Sequence, residues 1–288
     1  MDVIDLNCDM GESFGAWTMG SDAEMLKIVS SANVACGFHG GDPLVMFETV
    51  SRAKENGVGI GAHPSFFDVW GFGRRQIQGE KPEDIEKTVV YQIGALQGVA
   101  RAVGHRVGHV KAHGTLANLA AVDRPTALAI GRATATIDPE LIYVVMAGTE
   151  LERAARELGL RMAREIYADR AYDDTGNLVS RKLPGAVLHD PEEAAARVLA
   201  MVREGAIISD SGKRIPVAID TVCVHGDNPA AVAMATLVRD KLEQAGIAVR
   251  PMAETINQPP RRAAPARARA KRVQQGSARP KPPAHPSP

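Results

Sequence analysis

Short runs rich in Val, Ile and Ala alternate along this chain with longer stretches in which apolar residues recur every three or four positions. The first kind reads as buried strand and the second as amphipathic helix. Strands are predicted at Val3–Asn7, Ala32–Cys36, Val58–Gly61, Val107–Lys111, Leu141–Met146, Arg164–Ala168 and Val217–Val224. Helices are predicted at Asp22–Ser30, Pro43–Asn56, Pro82–Val103, Thr126–Ala135, Thr149–Leu158, Pro191–Glu204 and Pro229–Ala245. Asp42-Pro43, Asp190-Pro191 and Asn228-Pro229 each put a capping side chain before a proline at the first helical position. Gly57, Gly104, Gly205 and Gly246 close helices. Repeated strand–helix units imply parallel strands covered by helices. Seven or eight such units in this length favour a closed or nearly closed TIM-like (β/α) barrel over an open sheet, within one domain spanning residues 1–256.

The pattern stops near residue 257. From Pro259 the chain reads PPRRAAPARARAKRVQQGSARPKPPAHPSP, with eight Lys and Arg, no Asp or Glu, and Val273 as its one large apolar residue. Such a segment cannot bury enough apolar surface to offset the entropy of ordering, so 257–288 is expected to be a disordered basic tail. Subtracting its charges changes the picture of the body. The whole chain is neutral, but residues 1–258 carry 26 basic and 34 acidic side chains, 26 − 34 = −8. An acidic body argues against nucleic-acid binding by the barrel. No run is long and apolar enough to span a membrane, and MDVIDLNCDM lacks the basic start and apolar core of a signal peptide. Cys8, Cys36 and Cys223 are an odd set without CxxC spacing, which fits a reducing cytoplasm and core-filling roles.

Polar motifs fall at one place in the repeat. Asn7-Cys8-Asp9-Met10-Gly11-Glu12 follows the first strand, Gly37-Phe38-His39 the second, Ala62-His63-Pro64-Ser65 the third and Lys111-Ala112-His113-Gly114 the fourth. Asp169-Arg170 and His225-Gly226-Asp227 end the sixth and seventh. In a parallel barrel these carboxyl ends open on one face, so four histidines, two or three carboxylates and a lysine should converge on one mouth. His105 and His285 read as solvated, His109 as structural at the far end of its strand, and His189 as neutral. Two apparent motifs carry little weight. Gly57–Ala62 satisfies GxGxxA but leads from helix to strand, the reverse of a dinucleotide fingerprint. Gly11–Gly15 satisfies GxSxG, yet no helix follows at once as a nucleophile elbow requires. GxxxxGK[ST] and HExxH are absent.

DLNCDMGESFG, SSANVACGFHGGDP, GAHPSFFDVWGFGRR, VKAHGTLAN, EIYADRAYDDTGNLVSR and VCVHGD, in this order, resemble the LamB/YcsF family over residues 3 to about 252. Members of that family form the A subunit of the bacterial ATP-dependent 5-oxoprolinase. The resemblance implies a distorted (β/α) barrel of the glycoside hydrolase and deacetylase type. It implies hydrolysis of 5-oxo-L-proline to L-glutamate with ATP as co-substrate, with Mg, and partner subunits B and C. Under it, Asp9 or Glu12 would activate water, and His39, His63 and His113 would donate protons or orient phosphate. Lys111 would offset developing charge, and Arg74 or Arg75 would hold the substrate carboxylate. Asn7, Asp42, His225 and Asp227 complete the expected substrate contacts. A divalent metal on Asp9, His39 and His63 is an alternative use of the mouth. Two positions depart from the family pattern: Ala112 stands where proline is usual, and Ala117 where tyrosine is usual. The substrate reading therefore leaves room for another lactam. A metal-dependent deacetylase, and a non-catalytic partner of subunits B and C, stay open beside it, as does a homo-oligomer.

Overall fold

Alternation along the first strand sets the architecture. In β1 (Val3–Met10) the apolar Ile4, Leu6, Cys8 and Met10 interleave with Asp5, Asn7 and Asp9, and nearly all of them are buried. Successive side chains of a strand point to opposite faces. Both faces of this strand are therefore covered, one by helices and one by other strands' polar residues. The computed structural model describes residues 2–256, and the expected tail lies outside the described residues.

After β1 come α1 (Asp22–Met25), β2 (Ser31–Ala35), α2 (Pro43–Glu55), β3 (Gly59–His63), α3 (Pro82–Val103), β4 (Val107–Val110), α4 (Gly114–Val122) and α5 (Arg124–Ile137). Then follow β5 (Ile142–Met146), α6 (Glu150–Leu158), β6 (Met162–Tyr167), α7 (Pro191–Glu204), β7 (Ala206–Ile208), β8 (Arg214–Pro216), β9 (Thr221–Val224), α8 (Pro229–Gln244), β10 (Ala248–Val249) and α9 (Met252–Thr255). Strands β1 to β6 pair in sequence, all parallel, and β9 pairs with both β6 and β1. The sheet thus closes into a seven-stranded barrel, while β10 pairs with the first residues of β1. The helices pack outside over an apolar core that includes Leu6, Val50, Ile93, Ile130, Val198 and Val238.

Local chemistry explains the helix starts. Asp42, Asp190 and Asn228 each accept backbone N–H bonds from the first turn of α2, α7 and α8, with proline next in line. Asp123 does the same for α5, beginning that helix two residues earlier than its periodicity suggests. Gly104 and Gly205 end α3 and α7 in the left-handed conformation.

The differences have physical causes. The helix expected over Asp22–Ser30 stops at Met25, because Ser30 and Ser31 turn inward to donate to the Asp5 carboxylate at 2.8 and 2.6 Å. The strand expected over Val217–Val224 is shorter, since only 221–224 enter the barrel; just before it, residues 214–216 pair with β7 as a small antiparallel hairpin. Helix α4 shows little contrast between its faces because it is rich in small residues and leaves the apolar Leu119 and Val122 exposed opposite the buried Leu116, Ala117, Ala120 and Ala121. No described helix is long and apolar enough to cross a membrane.

Candidate active site

The barrel interior is filled by polar side chains rather than aliphatic layers. Asp5, fully buried, accepts from Ser30, Ser31 and Thr221, and burial raises its pKa to about 6. Above it Asn7 donates to Glu165 (3.1 Å) and Thr221 (2.7 Å) and accepts from Asn33 (2.7 Å). His109 Nε2 meets Asn33 Oδ1 at 2.8 Å, and burial depresses its pKa to about 3, so the ring is neutral. Lys111 closes this column. Its Nζ lies 2.8 Å from Glu165, 3.0 Å from Asp9, 3.2 Å from Asn7 Oδ1 and 3.1 Å from Cys223 Sγ. Burial opposes the lysine charge, but Asp9 and the other anionic partners outweigh it and hold the pKa well above the ordinary value. Every buried polar group in this column has a partner, which is the condition for a polar interior to be tolerated.

Asp9, His63, Lys111 and His113 form the floor of a chamber of about 930 Å³. Burial works against the charge on Asp9, but His63 and Lys111 prevail and hold its carboxyl well below the usual range. Glu12 and His39 stand behind the floor. Burial raises the Glu12 pKa, and burial with neighbouring rings lowers those of His39 and His113.

The ring nitrogens of this cluster are oriented by carbonyls. His63 Nδ1 lies 2.7 Å from Lys111 O, and His113 Nε2 lies 2.8 Å from Phe72 O. A carbonyl only accepts, so both of those nitrogens carry hydrogen and, in neutral rings, the other nitrogens present lone pairs. His63 Nε2 and His113 Nδ1 are 2.9 Å apart. Glu12 Oε1 is 3.3 Å from His113 Nδ1 and 4.0 Å from His63 Nε2, and Asp9 Oδ2 is 3.2 Å from His63 Nε2. Acceptors facing acceptors need a cation between them, either a proton or a metal. Tetrahedral zinc-like sites with bonds of about 2.0–2.1 Å have ligand edges of roughly 3.4 Å, and the separations here bracket that value. Glu12, His63 and His113 thus fit a divalent cation. His39 joins the same group of four. Its ring, however, stacks on His113 at 3.7 Å and 3° and cannot aim its lone pair at the same point. Its Nε2 instead lies 3.0 Å from Glu12. Of the residues expected to hold a metal, His39 and His63 thus fall in a cluster with Glu12 and His113, while Asp9 belongs to a second cluster with Cys223 and His225.

Phe72 supports this arrangement from the β3–α3 loop. It is the one described non-glycine residue with positive φ, at 54°, a conformation that costs energy in a bulky residue. Asp68, buried beneath the loop, accepts from Gly71 N and from Arg75 Nε at 2.6 Å. On the other side, His225 Nδ1 meets Asp169 Oδ2 at 2.9 Å. Burial disfavours the charged ring, but Asp169 outweighs this and raises its pKa. Asp9, Cys223 and His225 bring one donor atom each within 4.8 Å of one another.

The expected residues separate into three groups. Asp9, His63, Lys111, His113, His225, Arg74 and Arg75 line the chamber. Glu12 and His39 contact those residues from behind. Asn7, Asp42 and Asp227 lie elsewhere. Asn7 is locked inside the barrel below Lys111, and Asp227 is exposed and lines no part of the chamber. Asp42 gives both oxygens to backbone: Oδ1 accepts from Leu44 and Val45, Oδ2 from Gly15 at 2.7 Å. Asp42→Ala should lower stability by about 1 kcal/mol in urea denaturation and leave the KM for the substrate unchanged. Arg75 is tied to Asp68, whereas Arg74 lies over the Phe72 ring and is the freer cation. Ala112 and Ala117 both face the chamber, so a larger side chain at either position would narrow it.

Sequence reasoning missed Glu165 and Tyr167, which reach inward from β6, and Arg181. Alternation in MAREIY was the available signal for the first two. Cys8, Cys36 and Cys223 are buried and reduced, and burial raises the thiol of each. Neither decoy motif survives: Gly57–Ala62 leads from α2 into β3, and Ser13 is bonded to Met19 in a loop.

Residues 4–257 match the LamB/YcsF family. A protein of Rhodopseudomonas palustris, named as the A subunit of 5-oxoprolinase, is 57% identical over 252 residues, covering 88% of this chain and 99% of that protein. A protein of Bradyrhizobium diazoefficiens, named as the second of its 5-oxoprolinase A subunits, is 55% identical over 251 residues, 87% of this chain and 98% of its own. Among solved structures, the lactam utilization protein from Thermus thermophilus superposes with a TM-score of 0.82 at 48% identity, over 87% of this chain and 99% of that one.

Proposed function

We propose, since this chain belongs to the LamB/YcsF family, that it is the lactam-opening subunit of an ATP-dependent 5-oxoprolinase. In this reading it hydrolyses 5-oxo-L-proline to L-glutamate while ATP goes to ADP and phosphate. The names of its relatives support the activity. The observation that carries it to this chain is the chamber floor, where an ionised Asp9 lies between Lys111 and His63.

A lactam carbon is a poor electrophile because nitrogen donates into the carbonyl. Phosphorylating the lactam oxygen removes that donation and installs a leaving group. Water then adds to the carbon, and the C–N bond breaks with its electron pair on nitrogen, which takes a proton. A second water frees phosphate from the carboxyl phosphate that results. Asp9 accepts the proton of the attacking water. Its low pKa makes it a weak base, which suffices for a carbon already activated. His225, whose pKa Asp169 raises, delivers the proton to nitrogen, so acid and base have pKa values pushed apart by their surroundings. Lys111 holds Asp9 in place and offsets developing negative charge. Arg74 takes the substrate carboxylate. Glu12 and His39 position the rings of His63 and His113. A divalent cation held by Glu12, His63 and His113 would polarise the substrate oxygen.

The sequence contains no phosphate-binding loop, so subunits B and C are assigned the handling of ATP and Mg. Trp70 and Phe67, 84% and 74% exposed on the β3–α3 loop, give those partners an apolar rim to cover. A cytoplasmic location follows from this role and suits three free cysteines.

The test is glutamate release from 5-oxo-L-proline by the purified chain, alone and with subunits B and C, with and without ATP. Release only in the complete mixture supports the reading. No release, with partners that are active when joined to a homologous lactam-opening chain, would refute it. The pH profile gives a second check. Activity should fall as pH rises through the raised pKa of His225. Asp169→Asn removes the carboxylate that stabilises the imidazolium, so the alkaline limb should move down by about one pH unit or more. An unmoved limb would exclude His225 as the acid.

A further inference from the structure

The β6–α7 loop brings three cations to the chamber, Arg170, Arg181 and Lys182, that make no ion pair among the described residues. Arg170 is only 6% exposed, yet its guanidinium donates to backbone carbonyls alone, Nε to Ala186 O at 3.3 Å and Nη2 to Val179 O at 2.5 Å. The adjacent carboxylate, Asp169, bonds His225 through Oδ2 and offsets Arg170 and Arg181 only in part, one carboxylate against two guanidiniums and an imidazole. Arg181 lies near enough that its charge adds to burial in pushing the Arg170 pKa down. Arg181 and Lys182 are exposed, line the same chamber, and make no ion pair among the described residues. Like charges held together with one of them buried are costly unless an anion completes the set.

The carboxylates of the chamber do not supply that anion. Only Asp9 and Glu165 line it, both at the floor and both engaged by Lys111. The cationic wall also runs against the charge of the body, which is −8 over residues 1–258 (26 − 34). Size points the same way. A five-membered lactam acid fills a small part of about 930 Å³. Arg74, on the β3–α3 loop, already provides for its carboxylate. What remains is a second, more highly charged anion, and guanidinium forks match phosphoryl oxygens.

We propose that Arg170, Arg181 and Lys182 form a phosphoryl-binding site, so that this chamber receives the lactam in phosphorylated form rather than free. The identity of the ligand rests on the function proposed above; the oxyanion site does not. The probe is inorganic phosphate, titrated calorimetrically into the full chain after chelator treatment, which removes any metal that could bind phosphate itself. Wild type should bind one phosphate per chain. Arg181→Ala/Lys182→Ala should weaken that binding at least ten-fold, and Arg181→Lys should weaken it less. Binding of 5-oxo-L-proline should be the same in all three. Absence of phosphate binding, or equal binding in the double variant, overturns the site. If glutamate release in the complete mixture persists alongside that result, only this inference falls. If phosphate binds through these residues and no mixture releases glutamate, the site stands and the proposed function falls.

Discussion

Asp9→Asn, assembled with its partner subunits and supplied with ATP, should release glutamate about 10³-fold more slowly than wild type, with KM little changed. General-base catalysis contributes roughly 10²–10⁴-fold, and the amide keeps the shape of the carboxylate while losing its basicity. The fold should survive, because Lys111 retains Glu165 at 2.8 Å as its counter-ion. Asn33 Nδ2, which donates to Asp9 Oδ1 at 2.9 Å, can still find the amide oxygen. Glu12→Gln should cost less, since Glu12 stands behind the rings and does not line the chamber. The discriminating measurement is kcat and KM for both variants together with their urea midpoints. An Asp9→Asn enzyme at full kcat, or one whose loss tracks a loss of folded protein, would remove Asp9 from the mechanism.

Gly61→Ala should destabilise the barrel by about 3 kcal/mol or more, the upper end of what overpacking a core costs. Gly61 sits inside β3, and a Cβ there would overlap the His109 ring outright. The ring cannot step aside freely, because its Nε2 is bonded to Asn33, which in turn bonds Asn7 and Asp9. The added methyl would therefore disturb the column that holds Lys111. Chemical denaturation of Gly61→Ala, His109→Ala and the double variant measures this directly. The double variant should be more stable than the sum of the two single losses allows, since removing the ring makes room for the methyl. Strict additivity would show that the glycine is needed for some other reason.

Helix starts were legible because their causes are local. Asp42, Asp190 and Asn228 announce caps within a few residues of sequence, and the structure uses each one so. The same local chemistry misled at Asp42, where a cap next to His39 reads like a ligand. The mouth was legible because strand ends are easy to place: His63 closes β3, and His39, His113 and His225 follow β2, β4 and β9 within a few residues. The polar column was not. In strands of four or five residues, such as β2 and β4, alternation does not say which face turns inward, so Asn33 and His109 gave no sign of meeting. Arg181 was hidden for another reason. Its loop is held by tertiary contacts, such as Ser209 and Ser211 donating to Asp174 at 2.6 Å, that no short motif records.

The C-terminal end of the described chain folds under the barrel, away from the chamber. Met252 and Ile256 pack with Ile142, Val144 and Ala163, and Arg161, just before β6, donates to Ile256 O at 2.7 Å. Met252 shares its surroundings with Ser31, Gly59 and Val107, the amino ends of three barrel strands. An affinity handle or surface tether joined directly after Ile256 would therefore start from the face of the barrel opposite the chamber. Immobilised that way, the protein would present the chamber to solution rather than to the support.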